Sequence, residues 1–94
     1  MAKIIWTHAA LNDLKEIHQY ISKDSEFYAD RYVAILLGRV DILINFPRIG
    51  RMVPEKEDET IRELIEGNYR IFYKLINKNS ISVLRIHHAA KNIK

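Results

Sequence analysis

Apolar residues recur at two different periods along this chain, and the change of period divides it into a helical half and a strand half. Lys3 to Trp6 is a short β-favouring run, and Thr7 behind it suits a helix N-cap, because its hydroxyl can accept a first-turn backbone N–H. From His8 to about Ser22, Ala10, Leu11, Leu14, Ile17 and Ile21 return every three or four residues, which predicts an amphipathic helix with Asn12, Lys15, Glu16 and Gln19 on its polar face. Asp24 or Ser25 can cap a second helix, in which Ala29, Tyr32, Val33, Leu36, Val40, Leu43 and Ile44 share one stripe. Phe46 precedes Pro47, which disfavours helix and ends the element. The break between the helices is short, so they are expected to lie antiparallel as a hairpin with one apolar surface to cover.

Residues 47 to 60, PRIGRMVPEKEDET, contain both prolines, Gly50 and an acidic cluster, and read as a connecting loop. Beyond them the period falls to two, over strands at about 61 to 65, 69 to 76 and 81 to 87. Gly67-Asn68 and residues 77 to 80 supply turn chemistry for two hairpins. The predicted fold is α+β in the order β-α-α-β-β-β, with the helical hairpin packed on one face of a mainly antiparallel four-stranded sheet. Ninety-four residues make one domain, 1–94, whose sites should be shallow surfaces.

A two-residue turn at Lys78-Asn79 and a four-residue loop from 77 to 80 both set Ile76 opposite Ile81. Lys74 then faces Val83, Phe72 faces Arg85 and Arg70 faces His87, all on one side. The other side, with Tyr69, Ile71, Tyr73 and Leu75 beside Ser82, Leu84 and Ile86, is more apolar and belongs under the helices. That leaves Arg70, Phe72, Lys74, Arg85 and His87 on an open face, where they can hold phosphates and a stacked base, or the carboxylates and apolar anchors of a partner segment. Arg62 falls on opposite faces for the two turn types available at Gly67-Asn68.

Charge sharpens this picture. The chain is +3 overall, yet residues 1–60 are −2 and residues 61–94 are +5, so an anionic partner is expected for the last third. The chain has no cysteine, no run near the roughly 18 apolar residues of a membrane span and no signal-peptide pattern, so a cytoplasmic protein without a membrane partner is expected. No cofactor is expected, because the glycines at 38, 50 and 67 form no phosphate loop. Nor is a metal, because His87 and His88 are adjacent on a strand and point to opposite faces. Asp13 with Glu16, and the run Glu55 to Glu59, read as solvated, and His8 and His18 as ordinary surface or boundary residues. Any catalysis would rest on arginine, lysine and histidine, which suits phosphodiester cleavage.

These residues together resemble the RelE/ParE superfamily of toxin–antitoxin toxins, also called plasmid-stabilisation proteins. The resemblance spans nearly the whole chain. It runs from Trp6, Ala9-Ala10, Asp13-Leu14, Ile17 and Tyr20-Ile21 through Phe46-Pro47-Arg48-Ile49-Gly50-Arg51 and Pro54. It continues in Arg62-Glu63-Leu64 and Gly67-Asn68-Tyr69-Arg70-Ile71-Phe72-Tyr73, and ends in Val83-Leu84-Arg85-Ile86-His87-His88. It implies a cognate antitoxin that wraps the toxin, and two rival activities: ParE-like poisoning of DNA gyrase without nuclease action, or RelE-like ribosome-dependent cleavage of messenger RNA. The wording from Arg62 to Tyr73, His88 followed three residues later by Lys91, and the absence of a tyrosine after Tyr73 look more like the ParE branch. Partner-binding candidates are Arg62, Arg70, Phe72, Lys74, Arg85, His87 and Lys91. For a nuclease the candidates are Arg51, Arg70, Arg85, His87 and His88. A third reading is a non-toxic binding protein on the toxin fold.

Overall fold

Thr7 closes the first strand and opens the first helix with one hydroxyl. In the computed structural model, which describes residues 1–89, β1 spans Lys3–Trp6 and α1 spans His8–Ser22. Thr7 Oγ1 accepts the Ala10 N–H at 3.0 Å and shares its proton between the carbonyls of Val83 and Leu84, at 2.9 and 3.0 Å. The cap therefore also ties the helix start to the last strand. Ser25 caps α2, Glu26–Asp41, by accepting the Tyr28 N–H, and a 3₁₀ turn at Ile42–Ile44 carries the helix towards Pro47.

The strands that follow are β2 at Arg51–Met52, β3 at Ile61–Glu66, β4 at Tyr69–Asn77 and β5 at Ser80–His88. Their spatial order is β1-β5-β4-β3-β2, with β1 parallel to β5 and every other pair antiparallel. The predicted order β-α-α-β-β-β holds, and β2, inside the segment expected to be loop, makes the sheet five-stranded. Among the described residues no helix is long and apolar enough to cross a membrane.

One face of the sheet carries the main core, in which Ala10, Ile17, Leu36, Val40 and Leu43 from the helical side meet Leu64, Ile71, Tyr73, Ile81, Val83 and Ile86. Leu11, expected in the apolar stripe of α1, is 48% exposed, while Asp13 is only 6% exposed. The helix is thus rotated so that Ala10, Asp13 and Ile17, at intervals of three and four, face inward.

Both hairpins have two-residue turns. Gly67 takes a positive φ of 56° at the first central position of its turn, and the Tyr32 hydroxyl lies 2.8 Å from where a Cβ would stand. This register sets Arg62 opposite Tyr73, which fixes the face left open by the sequence. In the β4–β5 hairpin, Phe72 faces Arg85 and Arg70 faces His87 as counted, but Lys74 faces Ser82 and Leu75 faces Ile81. The extra residues are Ile76 on β4 and Leu84 on β5, one bulge on each strand, so the two errors cancel towards the far end. Between them the expected alternation of β5 is inverted, and Ile81 and Val83 enter the core in place of Ser82 and Leu84.

Gly50 sits where no side chain fits. Its N–H donates to the Tyr73 hydroxyl at 2.9 Å, and an added Cβ would stand 2.5 Å from that oxygen and 2.7 Å from the Glu63 carbonyl. Gly50→Ala is expected to cost about 1–3 kcal/mol through overpacking, read as a lower urea midpoint with unchanged slope. An unchanged midpoint would show that the β2 approach is looser than this geometry.

Candidate functional site

The sheet face opposite the helices is covered rather than open. Phe72 has no exposure, Glu63 has 1%, Val53 has 1% and Arg70 has 5%. The cover is the segment between β2 and β3, expected to be a solvated acidic loop, which instead brings Glu55 back to Arg70. Arg70 donates from Nη1 and Nη2 to the two oxygens of Glu55 at 2.7 and 2.8 Å, and from Nε to Glu63 Oε1 at 2.6 Å. Its guanidinium carbon lies 4.7 Å from the Phe72 ring centre, a cation–π distance. Glu63 is reached on its other oxygen by Arg51 Nε, also at 2.6 Å.

This cluster has a simple electrostatic logic. A carboxylate as buried as Glu63 is tolerable only when paired, and two guanidiniums share it. Hydrogen bonds from Arg70 to Glu55 and then to Glu63 raise the Arg70 pKa against the opposing effect of burial, so the guanidinium stays charged at any accessible pH. His87, opposite Arg70 on β5, lies edge-on to Phe72 with ring centres 5.7 Å apart.

Arg85 is bound elsewhere. Its Nε and Nη2 donate to the Asp13 carboxylate of α1 at 2.8 and 3.0 Å, and the Ile86 backbone N–H donates to the same carboxylate at 2.9 Å. Strand β1 pairs with β5 only as far as Val83, so beyond that point Asp13 takes the place of a neighbouring strand. The expectation that Asp13 is solvated therefore fails, because the β5 edge needs an acceptor there. Arg85 and Asp13 line a cleft of about 790 Å³ whose walls include Tyr20, Tyr32, Tyr69 and His88.

The sequence-derived candidates thus divide. Arg51, Arg70, Phe72 and His87 gather on the covered face. Arg85 turns to α1, and Arg62 donates to the carbonyls of Glu59 and Gly50 at 3.1 and 3.2 Å. Lys74 lies further along β4 towards its turn, and His88 is edge-on to Tyr69. Lys91 lies outside the described residues. What the sequence reading missed is the acidic half of each cluster, namely Asp13, Glu55 and Glu63. Asp13 was findable, since it shares the spacing of Ala10 and Ile17; Glu55 was not, because no local pattern says where a loop returns.

Comparison with known proteins gives this arrangement a family. Residues 4–93 match the family described as ParE toxin of type II toxin-antitoxin system, parDE. The chain belongs to this family. It is a type II toxin–antitoxin toxin of the ParE/RelE superfamily. It is 32% identical over 91 residues to Toxin RelE2 of Caulobacter vibrioides, covering 97% of this chain and 99% of the relative. It is 37% identical over 89 residues to Putative toxin Y4kP of Sinorhizobium fredii, covering 93% and 88%. In fold it is similar to a chain of the chromosomal ParDE toxin–antitoxin system from P. aeruginosa, with TM-score 0.72, 22% identity and coverage of 94% and 96%. It is also similar to a chain of the toxin–antitoxin complex RelBE2 from Mycobacterium tuberculosis, with TM-score 0.66, 21% identity and coverage of 93% and 96%.

The Asp13 pairing carries a pH signature. Burial alone would raise the Asp13 pKa, but the hydrogen bonds from Arg85 and Ile86 and the positive charge of Arg85 outweigh it and hold the carboxyl below its usual value. A depressed carboxylate contributes stability that is complete above its unfolded pKa of about 4 and is lost as pH falls through the lower folded value. Asp13→Ala should cost about 1–3 kcal/mol at neutral pH, mainly by leaving the Ile86 N–H without its acceptor, and should flatten the loss of stability below about pH 4. Urea titrations at several pH values check both, and an acid limb as steep as that of the parent would remove Asp13 from this role.

Proposed function

We propose that this toxin acts as a ParE-like inhibitor of DNA gyrase in the cytoplasm, restrained by a cognate antitoxin, and not as a messenger RNase. The observation that carries the reading is the pairing of every arginine a nuclease would use. Arg51 is held by Glu63, Arg70 by Glu55 and Glu63, and Arg85 by Asp13. A developing phosphorane needs donors aimed at it and positive charge to spare, whereas these guanidiniums are already matched by carboxylates. The same carboxylates repel the polyanion that a ribosome-dependent cleavage must admit. His87 and His88 lie edge-on to Phe72 and Tyr69 on different sides of the strand, so they do not form an acid–base pair.

The family description names the ParE branch, and the wording from Arg62 to Tyr73 supports it. A cognate antitoxin as partner is supported by both structural neighbours, one from a ParDE toxin–antitoxin system and one from a RelBE2 toxin–antitoxin complex. Expression without an antitoxin is expected to arrest growth, with loss of gyrase supercoiling in plasmid topoisomer gels and intact messages in primer-extension maps. Cleaved messages with normal supercoiling would overturn the proposal in favour of the RelE-like activity. Normal growth with neither change would indicate a non-toxic binding protein.

A further inference from the structure

Two turns border one small cleft at the Ser80 end of β5, and each presents a cation to it. The first is Phe46-Pro47-Arg48-Ile49, closed by the Ile49 N–H donating to the Phe46 carbonyl at 3.1 Å. Pro47 suits its second position because the ring presets φ, which puts Arg48 at the tip. The second is the β4–β5 turn, with Lys78 and Asn79 at its centre. Arg48 and Lys78 are both exposed, and both line the cleft, which encloses about 360 Å³. Leu75 forms a wall tied to the chain before β3, its N–H donating to the Thr60 carbonyl at 2.8 Å.

The cations of this cleft are not cancelled. Among the described residues, neither Arg48 nor Lys78 has a carboxylate within salt-bridge reach, unlike Arg51, Arg70 and Arg85. Asn77 adds a neutral donor: its side-chain oxygen accepts the Asn79 N–H at 2.8 Å, which leaves the amide NH₂ to donate elsewhere. Asp58 accepts the Thr60 N–H and hydroxyl at 2.9 and 2.6 Å and does not line the cleft. Burial raises the Tyr73 pKa, and the Gly50 N–H and the charges of Arg62 and Arg48 oppose it, so both guanidiniums lie near that hydroxyl. Arg62 donates to the backbone carbonyls of Glu59 and Gly50, so its charge is not balanced by a carboxylate either. The larger cleft beside Arg85 differs, since Asp13 and Glu16 line it and disfavour an anion.

We propose that the cleft between these turns binds a backbone phosphate of nucleic acid, with Arg48, Lys78 and the Asn77 amide donating to its oxygens. A phosphodiester only accepts hydrogen bonds and stays charged, so it matches side chains that offer donors. A single carboxylate would neutralise one of Arg48, Arg62 and Lys78, whereas successive phosphates of a strand can meet all of them. Pro47, Leu75 and Ile76, the last 51% exposed, give the adjoining sugar an apolar surface. No histidine or carboxylate lines the cleft, so it can hold a strand without a group to move protons. The site thus fits a protein that grips nucleic acid and leaves it intact. That the strand is duplex DNA rests on the gyrase reading.

Anisotropy of a short labelled DNA duplex, titrated with the toxin at several salt concentrations, tests the site. Arg48→Ala/Lys78→Ala should weaken binding at least about tenfold and reduce the slope of log K against log salt by about 2, at about 0.9 per lost phosphate contact. Lys15→Ala/Lys23→Ala removes the same charge from exposed positions on α1 and its C-cap, and should weaken binding less than about threefold. Arg48→Lys/Lys78→Arg keeps the charge and should bind within about twofold of the parent. All four positions are exposed, so thermal melts of the variants should match that of the parent. The proposal falls if the parent shows no salt-dependent binding or if the Lys15/Lys23 variant loses as much as the Arg48/Lys78 variant. Displacement of the duplex by polyglutamate at matched charge would overturn it in favour of an acidic protein partner. An RNA duplex of the same sequence bound more tightly than DNA would keep the phosphate site and remove duplex DNA as its source. Gyrase is absent from the assay, so failure here leaves the gyrase proposal standing, and failure of the supercoiling assay leaves the phosphate site standing.

Discussion

The carboxylate of Glu63 constrains more of this structure than any other group. It is out of contact with water, so it needs partners on both oxygens, and it finds Arg51 on one and Arg70 on the other. Arg51 can reach it only if the chain after α2 returns to the edge of β3, which is what β2 does. That return brings Gly50 against the Tyr73 hydroxyl and lets its carbonyl accept from Arg62, so the approach is fixed on both sides of the sheet. Removing one member of such a buried pair typically costs about 3–5 kcal/mol, a large part of the stability of a domain this size. The outer order of the sheet thus follows from one buried charge.

Most of the fold was legible because it rests on periodicity. The caps at Thr7 and Ser25, the α2 stripe and the turn at Gly67-Asn68 are all local signals, and each is found where the residues point. The candidate site was less legible, for two physical reasons. A register counted outward from a turn assumes unbroken alternation, and the bulges at Ile76 and Leu84 invert the faces between them while restoring the count beyond, so the count holds for Arg70 and Phe72 but not for Lys74. The alternation within each strand cannot reveal that residues 53–55 fold back over the face. A polar residue on an apolar stripe, as at Asp13, was the overlooked local clue.

The charge asymmetry of the sequence also changes meaning in three dimensions. The last third carries a formal +5, yet Arg70 and Arg85 are met by Glu55 and Asp13, acids contributed by the first sixty residues. What reads along the chain as a basic tail segment on an acidic body becomes interleaved pairs across the sheet. This is why a linear charge plot suggests a polyanion surface, whereas the fold matches Arg70 and Arg85 with carboxylates of its own.

The parallel pairing of β1 with β5 joins Lys3 to Ser80 and Trp6 to Val83, residues far apart in sequence. Thr7 reinforces the same junction across more than seventy residues. During synthesis, the first strand has no strand to pair with until β5 has emerged. A chain that stops before β5 cannot close the sheet, so β1 waits unpaired until that strand is made. For a protein of a toxin family, topology itself delays the finished fold until β5 has been made.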